Sequence, residues 1–286
     1  MKNKAGNLSG LSIAPCWTVG KLLGTGACSE GVYSISSSSR DEKKWCVKFS
    51  RTSPAGAPGG KKRKKKKTEQ ERMADLIFYE YQIYSGTVNR GRGKWCCDIP
   101  DIRHKPYGTV TTKSGVALCY LIMEYVPYPL YHNCSTPADV VNRTLALVDS
   151  LESLHSTGLV MVDVKKDNCR VDKKGNVRVL DFGTVERFNT LAGKSRSSSG
   201  AGTPSYWSRN VGEGGVCMPQ DDLESCAYIC HEEIDKGLPW DGMGEDDMRD
   251  EKRAFCMGEV GDRGVKRGLM EWAKRMKAKK GKRKSR

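Results

Sequence analysis

The chain has 286 residues, of which 37% are hydrophobic and 29% charged, a composition ordinary for a globular protein and compatible with a folded enzyme. Its longest apolar stretches, near residues 116–126 and 145–154, are shorter than the roughly 20 residues of a membrane-spanning helix, so we expect no membrane segment. The net charge is +15, and much of it lies in basic runs at residues 61–67 and 274–286.

The N-terminus and the cysteines indicate an intracellular protein. The first ten residues lack the apolar region of a secretory signal. Because thiols stay reduced inside cells, the twelve cysteines are expected to be free. Neither Cys96-Cys97 nor the Cys226, Cys230 and His231 group has the second ligand pair of a structural zinc site, so these residues are interpreted as core.

The first part of the chain, to residue 125, predicts a small antiparallel sheet with one helix on one face. Alternating residues over 17–49 predict three strands, and residues 1–16 are expected to be a flexible N-terminus. Residues rich in Pro, Gly and Lys predict a basic insertion over 53–67. The other expected elements are a helix over 68–85 and strands near 107–112 and 118–125.

The second part, over 126–273, predicts a mainly helical region. After a linker, Thr136 is the expected N-cap of a helix with Pro137 at its first position and Asp139 in its first turn. The apolar residues at helical spacing that follow are Val141, Leu145, Val148, Leu151 and Leu154.

A further helix is expected over 221–235. The composition changes near Lys252, so the region after Trp240 is expected to be abbreviated, with short last helices, before a basic tail over 274–286.

A G-T-G turn between the first two strands predicts a phosphate-binding backbone. Gly24 and Gly26 would let the backbone approach phosphate oxygens. The signal is weak by itself, because such a turn can merely link two strands. Ser29 replaces the third glycine of G-x-G-x-x-G and Val32 follows one position late, so a reshaped loop is expected.

Lys48 on the third strand is expected to contact the α- and β-phosphates of a nucleotide. Glu80 lies among apolar residues of the predicted helix, where an unpaired carboxylate would be costly to bury, so we expect a Lys48–Glu80 ion pair. The rival acids Glu69 and Glu71 are interpreted as charges at the helix start.

The segment D-V-K-K-D-N has the D-x-x-x-x-N spacing of a phosphoryl-transfer loop. Asp163 would accept the proton of the attacking hydroxyl, Lys165 would neutralise charge on the transferred group, and Asn168 would hold a magnesium ion. Asp181, in D-F-G after an apolar strand, is the second expected magnesium ligand. The alternative is a polar turn between buried segments.

These motifs, in this order, resemble the eukaryotic protein kinase family over about residues 17–240. The resemblance implies an α+β fold with a small antiparallel sheet lobe and a larger helical lobe, ATP and Mg²⁺ as cofactors, and protein substrates. The segments at 202–208, 221–225 and 237–240 are similar to the casein kinase I and vaccinia-related kinase group.

The same resemblance extends to the nucleotide-binding hinge. In L-I-M-E-Y and the valine after it, Met123 would be the gatekeeper, and Glu124 and Val126 would contact adenine. Asp222 would be the structural aspartate of a helix that follows the catalytic segments.

The chain departs from the family where H-R-D reads Met161-Val162-Asp163. The arginine that pairs with a phosphorylated activation loop is missing, so activity without loop phosphorylation is expected. Serines at 195 and 197–199 could still be autophosphorylated.

A serine/threonine protein kinase is the leading hypothesis. The alternatives are a kinase-shaped binding scaffold with weak or no catalysis, suggested by the altered glycine loop, and a small-molecule kinase. The basic runs indicate nuclear rather than cytoplasmic location and contact with nucleic acid or chromatin, or else are solvated linkers. We expect a monomer.

Overall fold

The computed structural model describes residues 7–13, 16–25, 29–37, 44–51, 69–86, 93, 95–188 and 202–259. The chain divides into two compact units. The first consists of Met1–Arg92 and Cys97–Tyr125, and the second of Gly93–Cys96 and Val126–Arg286. The first unit is built around a sheet and the second mainly from helices, which is the expected α+β content.

The sheet of the first unit has six antiparallel strands in the order β1-β2-β3-β4-β6-β5. The long strands and the helix predicted from the sequence are all present. The elements are β1 (Ser12–Ile13), β2 (Trp17–Gly24), β3 (Gly31–Ser37), β4 (Trp45–Arg51), α1 (Glu69–Tyr84), β5 (Tyr107–Thr111) and β6 (Ala117–Glu124).

The two faces of this sheet are covered differently, because successive strand side chains point to opposite faces. One face carries an apolar cluster rich in aromatic residues, among them Trp17, Tyr33, Phe49 and Tyr120, which we call the aromatic cluster. Helix α1 packs against β4 and β6. A single strand such as β4 therefore supplies core residues to one face and leaves Lys48 on the other.

The N-terminal segment was expected to be flexible, and this expectation is wrong for its described part. Ser12 and Ile13 pair with β2, and Leu8 and Ile13 are only 4% and 3% exposed within the aromatic cluster. A strand of two residues shows no alternation in the sequence, so its burial depends on a distant surface that local patterning does not reveal.

The second unit contains the long helix that the N-cap signal predicted. Thr136 Oγ1 accepts from the Asp139 amide at 3.2 Å, and the Asp139 carboxylate accepts from the Thr136 amide at 2.8 Å. The predicted apolar stripe is buried apart from Leu145, which is partly exposed. The elements to this point are β7 (Tyr128–Pro129), α2 (Pro137–His155), β8 (Leu159–Val160), β9 (Cys169–Val171), β10 (Val177–Val179) and β11 (Glu186–Arg187).

The last elements are α3 (Arg209–Gly212), α4 (Pro219–Asp235) and α5 (Glu245–Glu259). Helix α4 packs against α2, as a helix in a central position does. The expectation of short final helices is wrong for α5, which has 15 residues and continues through the composition change at Lys252. Lys252 is buried within this helix, so the basic composition of the region does not mark the end of the folded part.

None of the helices in the described ranges is long and apolar enough to cross a membrane. Cys119 and Cys230 are among the cysteines that the structure describes as free thiols. Burial raises the pKa of both Cys119 and Cys230 to about 11, so these thiols are protonated at neutral pH.

The buried N-terminal strand predicts a measurable loss of stability on truncating one side chain. We expect Ile13→Ala to lower the free energy of unfolding by about 2–4 kcal/mol, because it leaves a cavity beside the aromatic cluster. The matched change Ser12→Ala, at the exposed neighbour, should cost less than about 0.5 kcal/mol. Urea unfolding measures both, and equal losses would contradict the packing of this strand.

Candidate active site

The first unit holds the predicted ion pair. Lys48 Nζ donates to Glu80 Oε2 at 2.8 Å, and the two residues are 8% and 1% exposed. Lys48 is placed by β4 and Glu80 by α1, so the pair joins the helix to the sheet. Removing one partner would leave a buried charge, which typically costs about 3–5 kcal/mol. The side chains of the rivals Glu69 and Glu71 lie outside the described residues.

Strand register brings three of the predicted nucleotide-binding residues onto one face of the sheet. Val32 of β3 lies directly opposite Lys48. Met123 of β6 lies opposite Cys46, two positions before Lys48, and therefore shares its face. Lys48, Val32 and Met123 are thus neighbours by strand pairing alone.

The altered glycine loop is anchored to the sheet on its C-terminal side. The Glu30 amide donates to the Phe49 carbonyl at 2.8 Å, and Glu30 Oε1 pairs with Arg51 Nε at 2.8 Å. Gly31 has a φ of 139°, where a side chain is strained, and a Cβ there would lie 2.9 Å from Leu22. Gly24 has open space where a Cβ would be, whereas Gly26 lies outside the described residues.

The two predicted hinge residues after Met123, Glu124 and Val126, each have a backbone group that is already hydrogen-bonded within the protein. The Glu124 amide donates to the Asp98 carbonyl at 2.7 Å in the first unit. The Val126 carbonyl accepts from Arg170 Nε at 2.8 Å in the second unit. The Glu124 amide is therefore already used, whereas the Val126 carbonyl keeps a second lone pair.

The second unit brings Asp163, Lys165 and Asn168 into one hydrogen-bonded group. Asp163 Oδ2 accepts from Lys165 Nζ at 2.7 Å and from Asn168 Nδ2 at 3.1 Å. Its other oxygen, Oδ1, accepts from Thr203 Oγ1 at 2.9 Å, and Lys165 Nζ also donates to Thr203 Oγ1 at 3.1 Å. Thr203 lies within the G-T-P-S-Y-W-S segment, but no local sequence signal assigns it to this group.

A strained backbone precedes this group. Val162 has a φ of 69°, which is rare for a β-branched residue and costs about 1–3 kcal/mol. Asp222 holds it in place, because its carboxylate accepts from the amides of Met161 at 2.7 Å and Val162 at 3.0 Å. His155 Nε2 lies 2.8 Å from the same carboxylate. Asp222 is therefore structural, as the resemblance implied, and His155 is its additional partner.

Apolar packing occupies the position where the sequence lacks an arginine. Val162 is buried in a cluster with Val160, Val211 and Cys217, against which Trp207 packs. The segment that carries Thr203 and Trp207 is thus held by apolar contacts to the loop that carries Asp163. Burial raises the pKa of the Cys217 thiol, and nearby carboxylates raise it further.

Asp181 occupies the left-handed region, with φ 62° and ψ 69°, at the start of the short 3-10 turn Phe182–Thr184. Phe182 is fully buried, and its ring lies 5.2 Å from that of Trp95 in an edge-to-face arrangement. The Trp95 carbonyl accepts from the Val179 amide at 2.8 Å. Trp95 supports the Asp181 turn, and no local sequence signal identifies it.

The donor set of this unit fits magnesium bound together with phosphate oxygens. Within the described residues no three His, Cys, Asp or Glu side chains form a metal-binding group. Magnesium, however, usually takes one or two protein oxygens plus substrate phosphates. Asn168 Nδ2 faces the Asp163 carbonyl at 2.9 Å, so its amide oxygen is the atom that could bind a metal ion.

Comparison with known proteins agrees with this chemistry. A family model described as "Protein kinase domain" matches residues 105–274, more than half of the chain. The match begins after Lys48 and Glu80, so it leaves out that ion pair, but it includes Met123 and the group of Asp163, Lys165 and Asn168.

Individual relatives are matched over shorter stretches. Human Rho-associated protein kinase 1 is 36% identical over 97 residues, which are 32% of this chain and 7% of that protein. Mitogen-activated protein kinase kinase kinase 17 of Arabidopsis thaliana is 27% identical over 46% of the chain and 36% of its own length. The probable serine/threonine-protein kinase PknB of Corynebacterium glutamicum is 24% identical over 46% of this chain and 21% of its own length. The matched stretches therefore cover well under half of each relative.

The support of the strained loop by Asp222 can be tested by stability. We expect Asp222→Ala to lower the free energy of unfolding by about 3–5 kcal/mol, because two buried amides lose their acceptor and His155 loses its partner. Asp246→Ala, at an aspartate with 90% side-chain exposure, should change it by less than about 0.5 kcal/mol. Guanidinium unfolding compares the two, and similar small effects would refute this role.

Proposed function

Because the chain belongs to the protein kinase domain family, we propose that it is a serine/threonine protein kinase that transfers the γ-phosphoryl group of ATP to a protein hydroxyl. The observation that carries the proposal is the hydrogen-bonded group of Asp163, Lys165, Asn168 and Thr203. It places a carboxylate and an ammonium group together, as transfer to a hydroxyl requires.

The reaction assigns a separate task to each member of this group. Asp163 accepts the proton of the acceptor hydroxyl while the hydroxyl oxygen forms a bond to the γ-phosphorus. The bond from that phosphorus to the β–γ bridging oxygen breaks, and ADP leaves. Lys165, 2.7 Å from Asp163, neutralises negative charge on the transferred group. Thr203 accepts from Lys165 and donates to Asp163, and so fixes both side chains.

Nucleotide binding is assigned to residues of the first unit and to Val126, which directly follows it in the chain. Glu80 orients the Lys48 ammonium, which binds the α- and β-phosphates. Val32 and Met123, on the same sheet face, contact the adenine, and Gly24 and Gly26 lie along the phosphates. Glu124 and Val126 contribute the backbone groups that the bonds to Asp98 and Arg170 do not use.

Magnesium is assigned to Asn168 and Asp181. When bound, it neutralises charge on the β- and γ-phosphates. Asn168 is suited to this role because its amide nitrogen is fixed on Asp163, which sets the direction of its oxygen. Asp181 is presented from a left-handed turn backed by Phe182 and Trp95.

Activity is proposed to be independent of loop phosphorylation. In the position of the missing arginine, Val162 packs into an apolar cluster with Val211 and Cys217. A phosphate beside such a cluster would have no cationic partner at this position, so its addition would not order the loop. The serines at 195 and 197–199 lie outside the described residues.

A relationship to the casein kinase I and vaccinia-related kinase group is also proposed. Two of the segments on which it rests contact each other. Ser208 Oγ donates to Asp221 Oδ1 at 2.7 Å, and Asn210 Nδ2 donates to Asp221 Oδ2 at 2.9 Å. Burial raises the pKa of Asp221, although these hydrogen bonds oppose the change.

The kinase proposal predicts phosphate incorporation that depends on two aspartates. Purified protein with labelled ATP, magnesium and a mixture of casein and histone should yield phosphoserine or phosphothreonine. We expect Asp163→Ala and Asp181→Asn each to reduce the rate at least about 100-fold, because they remove the base and a magnesium ligand. Phosphoamino-acid analysis measures the product.

The matched control is Asp167→Asn, an exposed aspartate in the same loop, which should retain the wild-type rate. Wild type treated with phosphatase and then freed of it should also keep its initial rate within about twofold, and a large loss would refute phosphorylation independence. No incorporation by wild type would instead favour the scaffold hypothesis.

The basic runs are proposed to direct nuclear import and to contact nucleic acid or chromatin. Both runs, at residues 61–67 and 274–286, lie outside the described residues, and the support is their charge. A fluorescent fusion should therefore move out of the nucleus when the first run is neutralised and the second removed. Neutralising as many dispersed surface lysines is the control, and an unchanged distribution would refute import.

A further inference from the structure

Four consecutive backbone carbonyls, at residues 204–207, each accept a hydrogen bond from a side chain elsewhere in the second unit. Trp240 Nε1 donates to the Ser205 carbonyl at 2.9 Å, and Ser225 Oγ donates to the Tyr206 carbonyl at 2.7 Å. The remaining two carbonyls share one donor. We call residues 202–207, which include Thr203, the clamped segment.

That shared donor is Lys252 of α5. Its Nζ donates to the Pro204 carbonyl at 2.8 Å and to the Trp207 carbonyl at 2.7 Å. The same ammonium lies 5.2 Å from the ring centroids of both Tyr228 and Trp240. Two carbonyls and two aromatic faces compensate for removing this ammonium from water.

The burial of Lys252 shows that these contacts belong to a built site rather than to a surface encounter. The residue is 3% exposed, although lysine is almost never buried to this extent without specific partners. It reaches the segment from a helix that begins at Glu245, far along the chain from Pro204. One ammonium thus fixes the first residue of the short 3-10 turn Pro204–Tyr206 and the residue that follows the turn.

The clamped segment is connected directly to the catalytic group. Thr203 immediately precedes Pro204, and its hydroxyl bridges Asp163 and Lys165 at 2.9 and 3.1 Å. The Thr203 carbonyl also accepts from the Tyr206 amide at 2.9 Å. A shift of the turn would therefore displace the Thr203 hydroxyl, and a displacement of about 1 Å can cost about 100-fold in rate.

We propose that Lys252 is a positioning residue for the protein acceptor, and that it holds the clamped segment in the geometry in which Thr203 aligns Asp163 and Lys165. The inference rests on the proposed kinase function. Lys252 does not touch the reacting atoms, because its ammonium is committed to the two carbonyls of the segment. Its effect is expected on the acceptor side of the reaction, because the segment that it holds carries Thr203, whose hydroxyl donates to Asp163, the residue assigned to the acceptor hydroxyl.

The test compares Lys252→Met with Arg253→Met. Both changes remove one positive charge from neighbouring positions of α5. Methionine keeps the apolar stem of Lys252 between the rings and removes only the donors. Arg253 is half exposed and pairs with Glu213 and Asp250 instead of the clamped segment, so it is the matched control.

For Lys252→Met we expect kcat/KM for a casein acceptor to fall about tenfold or more, with the KM for ATP within about twofold of wild type. Arg253→Met should match wild type in both. Unchanged acceptor kinetics in Lys252→Met would overturn the proposal. So would a parallel loss in both substrates accompanied by a lower Tm, which indicates a merely structural role.

A second measurement does not depend on catalysis. Hydrogen exchange at the Tyr206 and Trp207 amides reports the turn directly, because they donate within it to Thr203 and Pro204. We expect faster exchange in Lys252→Met and no change in Arg253→Met, and equal exchange in both would overturn the clamp. If wild type has no kinase activity, the proposed function fails while this measurement still decides the clamp.

Should Lys252→Met not fold, Lys252→Arg provides the test. Its planar head cannot place donors on both carbonyls while lying over the two rings as an ammonium does. We expect the KM for the acceptor to rise about threefold or more, with faster exchange at the two amides. Wild-type values for both would overturn the proposal.

Discussion

The carboxylate of Asp222 is the constraint on which the loop before Asp163 depends. It accepts from two successive amides, those of Met161 and Val162, and keeps Val162 in a conformation that a β-branched residue adopts only under strain. The next residue is Asp163, so the direction of its carboxylate follows from this backbone. The two hydrogen bonds offset the strain, and the side chain of Val162 gains burial in an apolar cluster.

The same residue type performs opposite tasks in this unit because the surroundings differ. Asp222 is buried and contacts backbone amides, an imidazole and a thiol, whereas Asp163 is partly exposed beside a lysine ammonium and a threonine hydroxyl. A carboxylate held by backbone amides fixes a shape, and one that faces mobile donors can take part in proton transfer. Asp222 therefore fixes the backbone before Asp163, and Asp163 presents its carboxylate to Lys165 and Thr203.

Lysines show a similar division. Lys48 is buried against one carboxylate of helix α1, Lys165 is partly exposed beside Asp163, and Lys252 is buried against carbonyls and aromatic rings. At Lys252 the ammonium donates to two backbone carbonyls of the clamped segment, so its effect on that segment is geometric. In a chain of net charge +15, the cations that matter for the site are thus the few that are buried or paired, whereas the dense basic runs lie apart from it in sequence.

The sequence by itself determined the features that depend on residues close together in the chain, or on the free-energy cost of burying an unpaired charge. The Thr136 cap and helix α2 follow from local hydrogen bonding, and the Lys48–Glu80 pair follows because a carboxylate in an apolar stretch needs a partner. Asp163 and Asn168 are likewise only five positions apart, and they form a hydrogen bond within one loop. Only the tertiary structure decided the burial of Ile13, the place of Trp95 against Phe182, and the clamp made by Lys252. Each of these depends on surfaces that meet only after folding, and no local pattern specifies where a distant carbonyl or ring will lie.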